Sequence, residues 1–306
     1  MNFSNVFSQI FILFILIIIG YFARKKKLLD EYTTSKLSSL TMSIFLPSMI
    51  INSMQIDYSP DMIDKIIKLL IISLVMYTIS YLASYLLKFI FKSCNDLGIY
   101  QYVIMFSNVG FMGYPVVEAV LGKEAVFYTA IFNLPFSLLT ITLGTYFLSK
   151  GKENYSFCIK NFINPVIVSI FIGLIVFILN IKLPAFISKP MDMLGNITTP
   201  MSMLIIGSML CASSAIDCFY NKKLYFVTII RLIILPVAIY FVLKGQIKDS
   251  LLVSIPIVIS AMPAAANTAI MASEYEANTH LASQAVFFTT LFSVVTIPLV
   301  SAVLIK

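Results

Sequence analysis

The stretch YVIMFSNVGFMGYPVVEAVLG, residues 102–122, decides how this chain folds. It is apolar enough to lie in a membrane, yet two glycines and a proline follow closely after Ser107 and Asn108. Proline removes a backbone donor and disrupts the preceding helical turn, and glycine leaves helical geometry at little cost. In lipid the freed backbone groups need partners, so such a break survives only within protein or beside a cavity. We therefore predict a broken membrane helix here.

A second stretch, SIPIVISAMPAAANTAIMASEY at residues 254–275, has the same character. Pro256 and Pro263 are followed by small residues and then by Asn267 and Thr268. A simple proline kink is the alternative in both stretches. The clustering of helix breakers beside an asparagine, which has no reason to face lipid, favours a break in each.

The composition of the whole chain agrees with a membrane location. Of 306 residues, 59% are hydrophobic and only 11% are charged, with a net charge of +7. Soluble domains average about 25% charged residues, and disordered chains are poor in apolar residues, so both classes are excluded. The basic residues lie in short clusters between apolar runs and form no basic face, which argues against a nucleic-acid partner.

Ten apolar runs follow one another with mostly short loops between them. A membrane-crossing helix needs about 20 apolar residues, so the sequence predicts an all-α polytopic membrane protein with ten transmembrane helices. The runs lie at about residues 3–23, 34–54, 66–87, 100–121, 125–148, 163–181, 191–212, 224–243, 250–272 and 281–305.

The two broken runs are the fourth and the ninth, so they are equivalent members of two five-helix halves. The second and seventh runs also correspond, because LPSMIINSM at 46–54 and TPMSMLIIGSML at 199–210 each have a proline followed by methionines. An odd number of helices per half makes the two halves inverted repeats, and paired interrupted segments mark the binding site of such transporters. We predict a first repeat at 1–148, a short cytoplasmic loop at 149–162 and a second repeat at 163–306.

The distribution of Lys and Arg predicts the orientation in the membrane. With the N-terminus outside, twelve basic residues lie on the inner side and eight on the outer side, and the densest cluster, Arg24 to Lys27, is inside. Both termini are then outside the cell membrane. The four cysteines lie at or near the cytoplasmic face, where thiols stay reduced, and no C-x-x-C pair suggests a metal site. They are Cys94, Cys158, Cys211 and Cys218.

Two crossing broken helices would aim half-helix N-termini, which carry partial positive charge, at one point suited to an anion. Asn108 and Asn267 are the leading candidates for substrate binding, and the alternative is that each only caps its own break. Ser107 and Thr268 are weaker candidates, because hydroxyls often bond their own helix backbone. The residues expected to set the breaks are Gly110, Gly113, Pro115 and Pro263.

Ionisable residues inside the runs are few. Glu118 either carries a coupling proton or reaches the outer interface, and Arg231 either pairs with a substrate carboxylate or reaches the inner headgroups. Asn52, after Pro47, is expected to line the site from the second run. With one histidine and no paired intramembrane aspartates, we predict no catalytic residues, no metal, no cofactor and no enzymatic activity.

Several segments resemble the auxin efflux carrier family of secondary transporters, over nearly the full chain and in the same order. They are SNVGFMGYPVVEAVLGKEAV at 107–126, NPVIVSIFIGLIVFILNIKLP at 164–184, TTPMSMLIIGSML at 198–210, and AMPAAANTAIMASEYEANTHLASQAVFFTTLFSVVTIPL at 261–299. The resemblance implies a fold similar to bile acid/sodium symporters, with a scaffold domain, a core domain containing two crossing broken helices, and an outside N-terminus. It also implies that Asn108 and Asn267 line the substrate site.

The resulting functional hypothesis is a permease for a small organic anion, such as a mono- or dicarboxylate, that works by alternating access. A sodium- or proton-coupled symporter or antiporter of the related fold is the alternative, and a passive channel is a third option. Expected partners are the anion and membrane lipid. Related carriers include dimers, so a homodimer stays open. Plant members often carry a long central loop that this chain lacks, and nothing in the sequence indicates auxin as substrate.

Overall fold

The computed structural model describes residues 3–56, 59–92, 94–149, 164–212 and 216–304. Within these ranges the regular structure is helical, apart from one isolated bridge between two residues. Most of the predicted loop 149–162, including Cys158, lies outside the described residues.

Sixteen α-helices are numbered here in chain order. They are α1 (Phe3–Lys25), α2 (Glu31–Leu40), α3 (Leu46–Ser53), α4 (Pro60–Ile90), α5 (Leu97–Met105), α6 (Tyr114–Leu121), α7 (Lys123–Phe132), α8 (Leu134–Leu139), α9 (Thr145–Leu148), α10 (Pro165–Ile178), α11 (Ala185–Ala212), α12 (Lys222–Ile229), α13 (Leu235–Leu243), α14 (Ser250–Ser260), α15 (Thr268–Glu274) and α16 (Thr279–Leu304). Wider π turns connect some of them, at Thr41–Phe45, Val109–Gly113, Thr140–Gly144 and Ile230–Ile234, and a 3₁₀ turn covers Ile216–Tyr220.

Three of the π turns have a proline just after them. Pro47, Pro115 and Pro236 are each the second residue of the helix that follows a π turn. A proline ring in an α-helix collides with the carbonyl group four residues earlier. A wider preceding turn relieves that collision, so the helical course continues through these prolines instead of ending at them.

Within the described part of the chain, six helices are long and apolar enough to cross a membrane, which makes this a multi-pass membrane protein. They span Phe7–Lys25, Asp61–Ile90, Lys123–Leu148, Ala185–Cys211, Lys222–Leu243 and Thr279–Leu304. Three shorter apolar helices accompany them, at Val109–Leu121, Pro165–Ile178 and Ser250–Ser260. Large apolar side chains such as Phe11, Ile71 and Val303 are more than half exposed, as expected of surfaces that lipid covers.

The helices form two groups of contacts. The smaller group, which we call the narrow bundle, contains α1, α3, α10 and α11. In it α1 packs along α11, and α3 packs against both α10 and α11. A Cβ atom built on Gly207 would meet the carbonyl oxygen of Ile17, so only glycine lets α1 and α11 approach this closely. The wide bundle contains α4 to α9 and α12 to α16, with both interrupted segments at its centre.

Candidate functional site

The interrupted segments pair with each other inside the wide bundle. Between α5 and the π turn Val109–Gly113, Ser107 bridges to Ala264, which lies between α14 and α15. The N–H of Asn108 donates to the carbonyl oxygen of Pro263 at 2.8 Å, and the N–H of Ala265 donates to that of Phe106 at 3.1 Å. Backbone groups that leave one helix are thus satisfied by the other break, as a membrane interior requires. We call this pairing the crossing.

The sequence-predicted break residues lie at different distances from this pairing. Pro263 is in the crossing itself, whereas Gly110 and Gly113 lie in the π turn that follows Asn108, and Pro115 lies in α6. A Cβ atom on Gly113 would come within 2.9 Å of the Ile259 side chain, so this glycine lets α14 approach the π turn. The first interrupted segment therefore leaves helical geometry several residues before Pro115.

Asn108 is 4% exposed and caps the π turn. Its Oδ1 accepts a hydrogen bond from the N–H of Phe111 at 3.2 Å, and its carbonyl oxygen accepts one from the N–H of Gly113 at 2.9 Å. Its Nδ2 has no hydrogen-bond partner within the described ranges. This NH₂ carries two donor hydrogens, which are therefore available to a ligand that enters the crossing.

The second break presents its polar residues differently. Thr268 is buried, and its hydroxyl donates to the carbonyl oxygen of Ala265 at 2.5 Å, so it serves its own turn. Asn267 is exposed, and no hydrogen bond of its side chain is found among the residues described. One of the two candidates, Asn108, is therefore buried and partly engaged, while the other is open to the surroundings.

Arg231 lies within the wide bundle directly against the crossing. Its side chain is 1% exposed, so it reaches neither headgroups nor solvent. Its Nε donates to the carbonyl oxygen of Met262 at 3.1 Å, its Nη1 donates to that of Ile104 at 2.8 Å, and its Nη2 donates to the hydroxyl of Ser107. Ser107 is thus an acceptor for the guanidinium, a role that hydropathy and spacing could not reveal.

A cleft of about 280 Å³ lies where the two bundles meet. It contains Asn52 and Glu118 but, among the described residues, none of the residues of the crossing. Glu118 Oε2 accepts a hydrogen bond from the Thr199 hydroxyl of α11 at 2.8 Å. Asn52 Nδ2 donates to Asp192 Oδ1 at 3.0 Å. Both sequence candidates therefore line this cleft, where the Glu118 bond joins the two bundles and the Asn52 bond lies within the narrow one.

Lys123 completes this cleft and was missed in the sequence. Its Nζ lies 3.3 Å from Asp192 Oδ1 and 3.2 Å from Asn196 Oδ1, which joins α7 of the wide bundle to α11 of the narrow one. The side chains of Lys123 and Asp192 are 66% and 45% exposed, so water screens the pair. The available signal was the occurrence of opposite charges near the starts of two apolar runs.

Asp249 fixes the start of α14, outside the apolar helix. Its Oδ1 accepts hydrogen bonds from the N–H groups of Leu251 and Leu252, and its Oδ2 pairs with Lys65 of α4 at 2.8 Å. Partial burial acts to raise the pKa of Asp249, but the Lys65 hydrogen bond and the two backbone amides together hold that pKa below its usual value. This cap anchors the half-helix that leads into the crossing.

The chain is similar to known membrane transport proteins. A family model described as "Membrane transport protein" matches residues 5–301. The chain is 29% identical over 303 residues to an uncharacterized transporter of Methanocaldococcus jannaschii, covering 95% of this chain and 96% of that protein. It is 26% identical over 299 residues to an uncharacterized transporter of Methanothermobacter thermautotrophicus, covering 95% of each. It is 21% identical over 296 residues to the uncharacterized transporter YfdV of Escherichia coli, covering 93% of each. The similarity thus extends along nearly the whole chain.

Proposed function

Because this chain belongs to the membrane transport protein family, that of the auxin efflux carriers, we propose that it is a secondary permease for a small organic anion. The observation that carries the proposal is the crossing, where two interrupted helices pair and the Nδ2 of buried Asn108 has no partner among the described residues. Broken helices that meet within the membrane are the recurrent binding sites of secondary transporters.

The proposed architecture has ten membrane-spanning segments. The six long helices and the three shorter apolar ones account for nine, and the continuous course from α2 to α3 supplies the tenth. The crossing joins the fourth and the ninth of these, so the repeats at 1–148 and 163–306 have inverted topology. Both termini are outside, as the Lys and Arg distribution favours.

The charge of the crossing favours an anion. Within the described ranges no carboxylate forms a hydrogen bond with the crossing residues, so no acidic side chain bonded there opposes an anion. The helical course from Val109 to Leu121 also begins there, and helix N-termini attract negative charge. The Asn108 NH₂ donates to one carboxylate oxygen of a mono- or dicarboxylate, and Asn267 contacts the anion from the other break.

Alternating access follows from the two bundles. The wide bundle carries the anion and moves against the narrow bundle, which acts as the scaffold. The hydrogen bonds of Lys123 with Asp192 and Asn196, and of Glu118 with Thr199, cross this boundary and break during the movement.

A proton-coupled version of this permease has one specific observation in its favour. Glu118 is a half-buried carboxylate that faces Thr199 across the boundary between the bundles. Protonation would remove its charge and ease movement of the wide bundle. Anion flux into proteoliposomes under a proton gradient, a sodium gradient or neither separates a coupled carrier from a uniporter.

The proposed function is tested with purified protein in proteoliposomes and a panel of radiolabelled mono- and dicarboxylates. We expect saturable flux of at least one anion, and its loss in the double variant Asn108→Ala, Asn267→Ala. Asn164→Ala is the matched control, because Asn164 caps α10 through Ile167 and lies outside the crossing. Flux of no anion would overturn the substrate class, and undiminished flux in the double variant would overturn the site.

A further inference from the structure

Arg231 differs from every other charged residue described, because its side chain is 1% exposed and its donors are directed at the crossing. We propose that Arg231 is a positioning residue: it holds the two breaks together and neutralises their helix C-termini, and it does not bind the transported anion itself. The inference rests on the proposed function for its flux measurements only.

The Arg231 guanidinium bonds to both breaks. The three bonded donors of the guanidinium reach three separate places: Ile104 in the last turn of α5, Ser107 in the first break, and Met262 in the second. The planar guanidinium presents its N–H groups in a fixed fork, whereas a lysine ammonium is one point of charge. Only arginine can therefore bind both breaks at once from this position.

The charge of Arg231 is matched by two helix ends. Both α5 and α14 end at the crossing, and each helix C-terminus carries about −0.5 elementary charge, so the two together carry about −1. One guanidinium balances that charge. A buried ion without such compensation is strongly destabilising, and within the described residues no carboxylate pairs with Arg231. Its charge is thus already compensated by the protein.

Arg231 also restricts the movement of the two breaks. Arg231 lies in the π turn Ile230–Ile234, between α12 and α13, and π turns interrupt the regular helix ladder at functional sites. Its hydrogen bonds connect α12 and α13 to both breaks. The Nδ2 of Asn108 keeps its position because the neighbouring Ser107 is held by the guanidinium.

The test compares Arg231→Gln, Arg231→Lys and Ser107→Ala with the wild type by hydrogen–deuterium exchange in lipid nanodiscs. The reporter amides are those of Asn108 and Ala265, which form the crossing. Loss of one hydrogen bond changes a local equilibrium by about fivefold, so Ser107→Ala should speed exchange there by about that factor, and both Arg231 variants should speed it more. Arg24→Gln is the charge-matched control and should change nothing at these amides.

Flux then separates positioning from general stability. In Ser107→Ala we expect KM for the transported anion to rise by about fivefold, with the maximal rate within about twofold, because Asn108 is displaced. Asn164→Ala, which lowers stability elsewhere, should leave KM unchanged at equal amounts of folded carrier. Arg231→Lys should not have the wild-type KM, because a lysine keeps the charge but not the hydrogen bonds to both breaks.

The outcomes are decisive in either direction. Reporter amides that stay as protected in Arg231→Lys and Arg231→Gln as in the wild type would overturn the proposal. If the Arg231 variants do not fold, unchanged exchange in Ser107→Ala would overturn it equally. Because exchange needs no substrate, accelerated exchange in a protein that moves no anion would uphold Arg231 as positioning residue while the proposed function fails.

Discussion

The N–H of Asn108 donates to the carbonyl oxygen of Pro263 at 2.8 Å, and this bond joins residues that lie in opposite halves of the chain. Pro263 has no N–H of its own, so it pairs with the first break through its carbonyl, and the N–H of Ala265 supplies the second bond, to the carbonyl oxygen of Phe106 at 3.1 Å. The pairing explains how extended backbone persists in an apolar interior, and it leaves the Asn108 side chain beside the meeting point.

Asn108→Asp separates the two roles of this side chain. Aspartate can accept the same bond from the Phe111 N–H, so the cap is retained. Burial of its carboxylate lowers the melting temperature, so flux is compared at equal amounts of folded protein. The NH₂ donor is replaced by an anionic oxygen that repels a carboxylate, so flux should fall at least about 100-fold, equivalent to about 3 kcal/mol. Flux within a few-fold of wild type in a stable Asn108→Asp protein would leave Asn108 as a cap alone.

The sequence predicted the location of both breaks because their cause is local. Helix breakers and asparagines cluster within short windows, and that clustering is visible without a structure. The register was less accurate: Pro115 lies in α6, and the extended residues precede it, because the π turn Val109–Gly113 absorbs the collision that the proline would otherwise cause.

The partners of Arg231 could not be predicted from sequence. Two of its three acceptors are the backbone carbonyl oxygens of Ile104 and Met262. Every residue has such an oxygen, so the residue types at these positions do not indicate the contact. The family resemblance, in contrast, rested on strings of side chains, and the family model that matches residues 5–301 confirmed it.

Gly207 is a glycine at which α1 and α11 pack closely, and its replacement should destabilise the narrow bundle. In Gly207→Ala the new Cβ meets backbone, the carbonyl oxygen of Ile17, which cannot move without shifting a helix. We expect a loss of about 1–3 kcal/mol, measured as reduced thermal stability in detergent. Gly110→Ala is the comparison, because its Cβ would meet only the flexible end of Met42 at 2.7 Å. Equal stability of the two variants would contradict this account of helix packing.

The proposed orientation has a direct labelling test in a variant without native cysteines. Leu28 and Lys248 are both exposed, and the proposed topology places Leu28 inside and Lys248 outside. A membrane-impermeant maleimide added to intact cells should label Lys248→Cys at once, and Leu28→Cys only after permeabilisation. The reverse pattern would invert the topology, and labelling of both in intact cells would place the two loops on the same outer side.

Asp249 should make the stability of α14 depend on pH in acid. Its pKa in the folded protein lies below the ordinary value of 3.8, because Lys65 and two backbone amides bond the ionised form. Its contribution is therefore complete above pH 3.8 and is lost as the pH falls through the lower folded value. Asp249→Ala should lower stability by about 1 kcal/mol at neutral pH, as other N-cap deletions do. In this variant the melting temperature should also fall less steeply as the pH is lowered into the acid range. If it falls as steeply as in the wild type, other carboxylates cause the loss of stability in acid.

Lys123→Gln tests whether the contacts between the bundles limit transport. Lys123 and Asp192 are both well exposed, and such pairs contribute about 0–1 kcal/mol, so the melting temperature should barely change. If these contacts must break in each cycle, their loss lowers the barrier by up to about 1 kcal/mol, and the maximal flux should rise up to about fivefold. Lys248→Gln is the control, since it removes an equal charge from an exposed loop position. Lower flux in Lys123→Gln than in Lys248→Gln would mean that Lys123 assists the movement of the wide bundle instead of restraining it.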